Sequence, residues 1–196
     1  MLKPSKILIS RTDSIGDVIL TLPMAGILKK KFPHVSIVFL GKNYTKSIIE
    51  TSEHIDEFLS IDDLNKLNPK EQIQFIRNKN ISHCIHVFPK TEIAQLIKKA
   101  GVQFRIGTTN RAYHWLKCNK LIKLSRKNSN LHEAQLNCKL LSAVGINEEF
   151  SLAELATNYG FTKHLALPQK HKELLSKNKK TLSYTPNHKE VRLNGA

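Results

Sequence analysis

No apolar run in these 196 residues approaches the roughly 20 needed to cross a bilayer, which excludes a membrane-spanning helix. Cysteine is scarce. Cys84, Cys118 and Cys138 are odd in number and form no C-x-x-C pair, so a disulfide-built mini-protein is excluded and reduced thiols are expected. The opening Met-Leu-Lys-Pro-Ser-Lys lacks a small-residue cleavage site and does not read as a secretion signal, so a cytoplasmic chain is expected. Acidic residues are few: 16 against 31 Lys and Arg, for a formal net charge of +15. That imbalance suggests an anionic partner without identifying it. Two phosphate-binding signatures are missing as well. There is no G-x-G-x-x-G and no G-K-[ST], hence neither a dinucleotide fingerprint nor a P-loop. No internal repeat or low-complexity segment is found.

What is present is a core and an alternation. Hydrophobic residues make up 40% of the chain, enough to bury a sizeable interior. Lys6-Ile-Leu-Ile-Ser10 is a short apolar run before a polar, Gly-containing turn, which suits a buried parallel strand. From Asp17 the spacing of Val18, Leu22, Ala25, Leu28 and Phe32 gives one helical stripe, which Pro23 should bend or restart. Further strands are expected at Val35–Leu40, Phe58–Ile61, Cys84–Phe88 and Phe104–Gly107. Helices are expected at Tyr44–Thr51, Pro69–Asn78, Thr91–Ala100 and His132–Val144, the last with Gly145 at its C′ position. Strands alternating with helices imply a mostly parallel sheet covered on both faces. Beyond about residue 150 the pattern weakens.

The positive charge is uneven. Residues 1–60 carry a net +2, residues 61–160 a net +7 and residues 161–196 a net +6. Arg105, Arg111, Lys117, Lys120, Lys123, Arg126 and Lys127 cluster with Tyr113, His114 and Trp115. They read either as a basic, partly aromatic face for a phosphorylated ligand or nucleic acid, or as a solvated lysine-rich surface. Lys177–Lys180 reads as an exposed helix tip or tail. His83 and His86 flank the fourth strand without an acidic or Cys partner at ligand spacing; they read as structural, with no metal site.

In an open parallel sheet, ligands bind beyond the carboxyl ends of the strands. That directs attention to Arg11-Thr-Asp-Ser-Ile-Gly-Asp17. Thr12, Asp13 and Ser14 can each cap the following helix, and Gly16 offers backbone freedom or close approach of a ligand. Free N–H groups there favour an anion. The alternative is purely local: Asp13 or Ser14 as N-cap, and Asp17 as a first-turn acid favoured by the helix dipole.

The segment Lys6-Ile-Leu-Ile-Ser-Arg-Thr-Asp-Ser-Ile-Gly-Asp-Val-Ile-Leu-Thr-Leu-Pro23, followed by Leu28 and Phe32-Pro33, closely resembles the opening of the family-9 glycosyltransferases, the lipopolysaccharide heptosyltransferases. Arg105-Ile-Gly107 with Arg111, His114 and Trp115 resembles the family's segment after its fifth strand. Leu131-His-Glu-Ala-Gln135 with Leu140, Leu141 and Gly145 resembles its His-bearing helix. The resemblance covers roughly residues 5–162.

It implies a GT-B architecture of two Rossmann-like domains facing a cleft, with the acceptor held by the N-terminal domain and the nucleotide-sugar by the C-terminal one. This chain would then be a truncated enzyme: an α/β Rossmann-like acceptor domain over residues 1–160, a linker over 161–181, and a remainder. The implied reaction inverts the anomeric centre and needs a base for the acceptor hydroxyl. Asp17 matches the family's Gly-Asp position, whose Asp is the proposed base, and Asp13 is its local rival. Arg111 matches a basic acceptor-contacting position, His132 a polar residue on the same side, and Arg11 is a third contact; Thr12, Ser14 and Gly16 complete the turn. The donor implied is ADP-heptose or another nucleotide-sugar, the acceptor a lipopolysaccharide core. No cofactor or metal is implied. Peripheral contact with the cytoplasmic face of the inner membrane is expected.

After Lys179-Lys180 the family has a buried strand and a His-Pro-Lys-Ser-type segment, but this chain reads Leu182 to Ala196 without them. Joining the third base of each codon to the first two of the next, from Tyr184, allows His-Pro-Lys-Ser-Gln-Gly-Ser-Ala-Ser-Glu-Trp-Gly. Residues 182–196 are therefore expected to be a frameshifted tail, and the chain alone is expected to be inactive. The competing reading is a basic Rossmann-like module that binds nucleic acid or a phosphorylated ligand without catalysis. Against it, no nucleic-acid motif is present.

Overall fold

The computed structural model describes residues 4–124 and 129–162. Arg126, Lys127, the Lys177–Lys180 run, the linker beyond residue 162 and the 182–196 tail lie outside the described residues.

Six parallel strands form one sheet: β1 (Lys6–Ser10), β2 (Ser36–Gly41), β3 (Glu57–Ser60), β4 (His83–His86), β5 (Phe104–Thr108) and β6 (Lys120–Ile122). Their order is β3-β2-β1-β4-β5-β6. The helices are α1 (Ile15–Ile19), α2 (Pro23–Lys31), α3 (Lys46–Glu50), α4 (Ile61–Leu64), α5 (Pro69–Asn78), α6 (Thr91–Lys99), α7 (Ala112–Lys117), α8 (Glu133–Cys138) and α9 (Leu152–Ala156). The expected α/β, Rossmann-like parallel sheet is present.

Alternation along the strands builds two cores. Ile7 and Ile9 of β1, Ile37 and Phe39 of β2, Ile85 and Ile106 pack with Val18, Leu28, Leu136 and Leu141. Leu8, Val38, Leu40 and Cys84 face the opposite way, onto Ile76, Ile93 and Ile97 of α5 and α6. Both faces are thus apolar, which is why β1 and β2 read as continuous hydrophobic runs.

Pro23 restarts the helix rather than bending it. It occupies the N1/N2 region of α2, where its missing N–H costs nothing. The break leaves polar groups that α8 satisfies: buried Asn137 Nδ2 donates to Leu20 O at 3.3 Å and to Thr21 Oγ1 at 3.4 Å. The expected helix from His132 to Val144 is α8 continued as a 3-10 segment, Lys139–Val144. Gly145 closes it with φ 85°, the left-handed geometry expected at C′. Tyr44–Thr51 likewise divides into a 3-10 turn, Asn43–Thr45, and α3.

β6, α4, α7 and α9 have no counterpart among the elements expected from the sequence. Gly107 explains how α7 approaches: a Cβ there would lie 2.6 Å from His114 Nδ1 and 2.8 Å from Cys118 Sγ, so only glycine lets α7 sit against β5. All three cysteines are free and buried. Among the described residues, no helix is long and apolar enough to cross a membrane.

Candidate active site

Strand order reverses between β1 and β4, so their carboxyl ends open the crevice where parallel sheets bind ligands. Arg11 follows β1 and Phe88 follows β4. The two meet there, with Arg11 Cζ 5.9 Å from the Phe88 ring centroid. Val87 and Phe88 N–H both donate to Ser10 O, at 3.1 and 3.2 Å, which ties the two loops together.

Arg11 is the hub. Its side chain is only 3% exposed, and three carboxylates surround it: Asp13 Oδ1 at 2.7 Å from Nε, Asp17 Oδ1 at 2.7 Å from Nη2, and Glu133 Oε1 at 3.5 Å from Nη1. A planar fork of donors can hold several acceptors at fixed angles, which an ammonium cannot. β1, α1 and α8 are fastened together through this one side chain.

Asp17 is oriented from both sides. Oδ1 faces Arg11, and Oδ2 accepts from Ser14 Oγ at 2.6 Å. Ser14 is also the N-cap of α1, its Oγ accepting from Asp17 N at 3.3 Å. The capping reading of Ser14 therefore holds, and the same contact aims the acid. Asp17 keeps 36% of its side chain exposed, against 17% for Asp13. Asp13 is further enclosed by Tyr44, whose Oη donates to Asp13 O at 2.5 Å. Burial pushes the Asp13 carboxyl above its ordinary range against the pull of Arg11, and neighbouring Asp17 adds to the rise. Of the two rivals, Asp17 is the one presented outward.

Thr12 is buried beside Arg11. Gly16 is exposed and lies outside the left-handed region; a Cβ would meet only Ser14 Oγ, at 3.9 Å. Backbone strain is therefore not why glycine stands there. Arg111 is exposed at the N-cap of α7, beyond β5 and two strands from β1. His132 is exposed and caps α8: its Nδ1 accepts from Ala134 N at 3.3 Å, and Gln135 Oε1 accepts from His132 N at 2.9 Å. The network joins Arg11, Asp13, Ser14 and Asp17, whereas Arg111 and His132 stand on separate loops of the same sheet edge.

Glu133, Tyr44 and Phe88 were not singled out from the sequence. Glu133 lies 122 residues from Arg11 in the chain, and no local pattern links them. His83 and His86 are structural. His83 stacks on Phe104 at 4.5 Å, and His86 is fully buried near Cys84 and His114. Among the described residues, no group of three His, Cys, Asp or Glu side chains could hold a metal ion.

No protein-family profile matches the chain. A Haemophilus influenzae protein carrying an inferred glycosyltransferase assignment is 28% identical over 137 residues, covering 69% of this chain and 39% of that protein. A family-9 glycosyl transferase from Veillonella parvula superposes with TM-score 0.64 at 21% identity, over 76% of this chain and 43% of its own. The chain is similar to the family-9 glycosyltransferases. Escherichia coli heptosyltransferase WaaC, solved with ADP-2-deoxy-2-fluoro heptose, aligns with TM-score 0.61 at 17% identity, over 74% of this chain and 50% of WaaC. Escherichia coli ADP-heptose lps heptosyltransferase II aligns with TM-score 0.58 at 14% identity, over 69% and 39% of the two chains. The Rossmann-like sheet thus matches part of these glycosyltransferase structures, and the chain spans half or less of each relative's length.

Proposed function

We propose that this chain is the acceptor-side domain of a GT-B glycosyltransferase that transfers a sugar, heptose by resemblance, from a nucleotide-sugar such as ADP-heptose to a lipopolysaccharide core, with inversion. The observation that carries the reading is the Asp17 carboxylate, fixed by Arg11 and Ser14 and turned outward at the β1/β4 crevice. An inverting displacement needs a base aligned with the attacking hydroxyl. Asp17 takes that proton as the acceptor oxygen bonds to the anomeric carbon and the nucleoside diphosphate departs. Each carboxylate oxygen has two lone-pair sites, so Oδ2 can keep the Ser14 bond and still accept the substrate proton.

Arg111 and His132, on separate loops of the same sheet edge, suit the phosphates and acidic sugars of such an acceptor, which bidentate guanidinium recognises well. Arg11 orients Asp17, and with three of its five N–H donors turned to carboxylates it keeps donors for the acceptor contact that the resemblance implies. Thr12, Ser14 and Gly16 shape the turn on which Asp17 is mounted. The acceptor-side domain of this reading corresponds to residues 1–160, and the segments assigned beyond residue 162 lie outside the described residues. On this reading the enzyme works in the cytoplasm, in peripheral contact with the inner membrane.

The test is transfer of radiolabelled sugar to core acceptor by the two-domain enzyme that results from reading the alternative frame past Tyr184. Asp17→Asn should lower kcat by about 10²–10⁴-fold with little change in KM. Undiminished kcat would remove Asp17 from the chemistry.

One observation favours the second reading, a non-catalytic binding module. Residues 90–124 carry eight basic residues and one acidic. Binding of random oligonucleotides that weakens with salt, together with no sugar transfer by the two-domain enzyme, would support it.

A further inference from the structure

α7 is built inside out. Its histidine, His114, is fully buried against β5, while Trp115 and Leu116 are 63% and 76% exposed. Arg111, Ala112, Trp115, Leu116 and Asn119 are all exposed, at the spacing of one helical face. The face is held out rather than frayed. Trp115 Nε1 donates to Thr109 O at 3.1 Å, Lys98 Nζ to Leu116 O at 2.8 Å, and Arg105 Nε to Lys117 O at 2.7 Å. The apolar pair is therefore presented on a pinned scaffold, with little ordering left to be done on contact.

Charge says what the face is for. The segment from Lys90 to Leu124, comprising α6, β5, α7 and β6, holds eight basic residues against Glu92 alone. Residues 4–89, which share the same sheet, hold eleven basic and nine acidic. An apolar Trp-Leu pair on the one strongly cationic flank differs from an ordinary protein-docking patch, which is depleted in lysine. It suits a surface that is anionic outside and apolar beneath: Trp at headgroup depth, Leu below it, lysines on the phosphates.

We propose that α7 is a membrane-docking wedge, inserting Trp115 and Leu116 into an anionic lipid surface while Lys117 and Lys120 engage its headgroups. The proposal rests on the reading above for its setting, since a lipid-linked acceptor lies in such a surface. It adds the element that would hold the domain there.

Trp115 is the chain's single tryptophan, so its emission reports on this site alone. The purified chain is mixed with phosphatidylcholine vesicles with or without about one-third phosphatidylglycerol, at low and high salt. Expected are a blue-shifted Trp115 emission, quenching by brominated acyl chains, and co-sedimentation with anionic vesicles only, all weakened by salt. Leu116→Ser, with circular dichroism unchanged, should lower partitioning about tenfold, and Lys117→Gln about fivefold. Three results overturn the proposal: no shift with anionic vesicles; a shift set by protein concentration without lipid, which marks a second copy on this face; or Trp115 already shielded from an aqueous quencher in the free chain. Binding of delipidated core oligosaccharide separates the two ideas. Its loss with vesicle binding intact removes the acceptor reading and leaves the wedge; the reverse removes the wedge.

Discussion

Arg11 concentrates more of the site's energetics than any other side chain in it. One buried guanidinium holds Asp13, Asp17 and Glu133, which would otherwise repel each other. Removing one partner of a buried ion pair leaves uncompensated charge and costs several kcal/mol. Arg11→Met should destabilise the domain by about 3 kcal/mol in urea unfolding, at the low end of that range because the carboxylates keep some water. Arg11→Lys should recover less than half, since an ammonium lacks the fork. Full recovery by lysine would mean that charge alone, not geometry, holds the cluster. Asp17, Ser14 and Arg11 were legible in the sequence because they sit within seven residues of one turn. Glu133, Phe88 and Tyr44 were not, because only the fold brings the 3-10 turn after β2, the loop after β4 and the start of α8 to that turn.

At the scale of elements, the buried strands were readable and the edge was not. β1 and β2 are apolar on both faces and declare themselves. β6 is three residues, Lys120–Ile122, half-buried and preceded by lysine-rich sequence, so nothing in its composition separates it from a loop. α7 misleads for a sharper reason: hydrophobic spacing assumes that apolar residues point inward, and here they point out while His114 points in. That inversion has a cost at low pH. His86 is buried beside Cys84 and His114 with Arg105 nearby, and burial first, then interaction with His114 and the positive charge of Arg105, brings its pKa down to about 3; burial also lowers that of His114. Both are neutral in the fold and take up protons more readily when unfolded. Their share of stability is thus complete above the unfolded His value near 6.5 and is lost as pH falls below it toward the folded value. The fall for His86 alone is about 1.4 kcal/mol per pH unit below about 6. Urea midpoints measured from pH 7.5 to 5 should decline accordingly, and His86→Phe should flatten the curve if the phenyl ring fits. An unchanged slope in a folded His86→Phe variant would assign the acid sensitivity to other groups.

For the molecule as a whole, the charge becomes a matter of placement rather than amount. The β1–β4 side of the sheet is close to balanced, and the catalytic candidates lie there within an acidic cluster around Arg11. The flank from β5 to β6 is cationic and carries the exposed Trp-Leu pair. An anionic, lipid-anchored acceptor would meet the second region while presenting its hydroxyl to the first. The decisive measurement is calorimetric binding of lipopolysaccharide core oligosaccharide, free of lipid, to the purified chain, with random oligonucleotide as competitor. An acceptor site at this sheet edge gives binding that Arg111→Ala weakens about tenfold, that Asp17→Asn leaves nearly unchanged, and that the oligonucleotide does not displace. No oligosaccharide binding, with salt-sensitive oligonucleotide binding in its place, would contradict it.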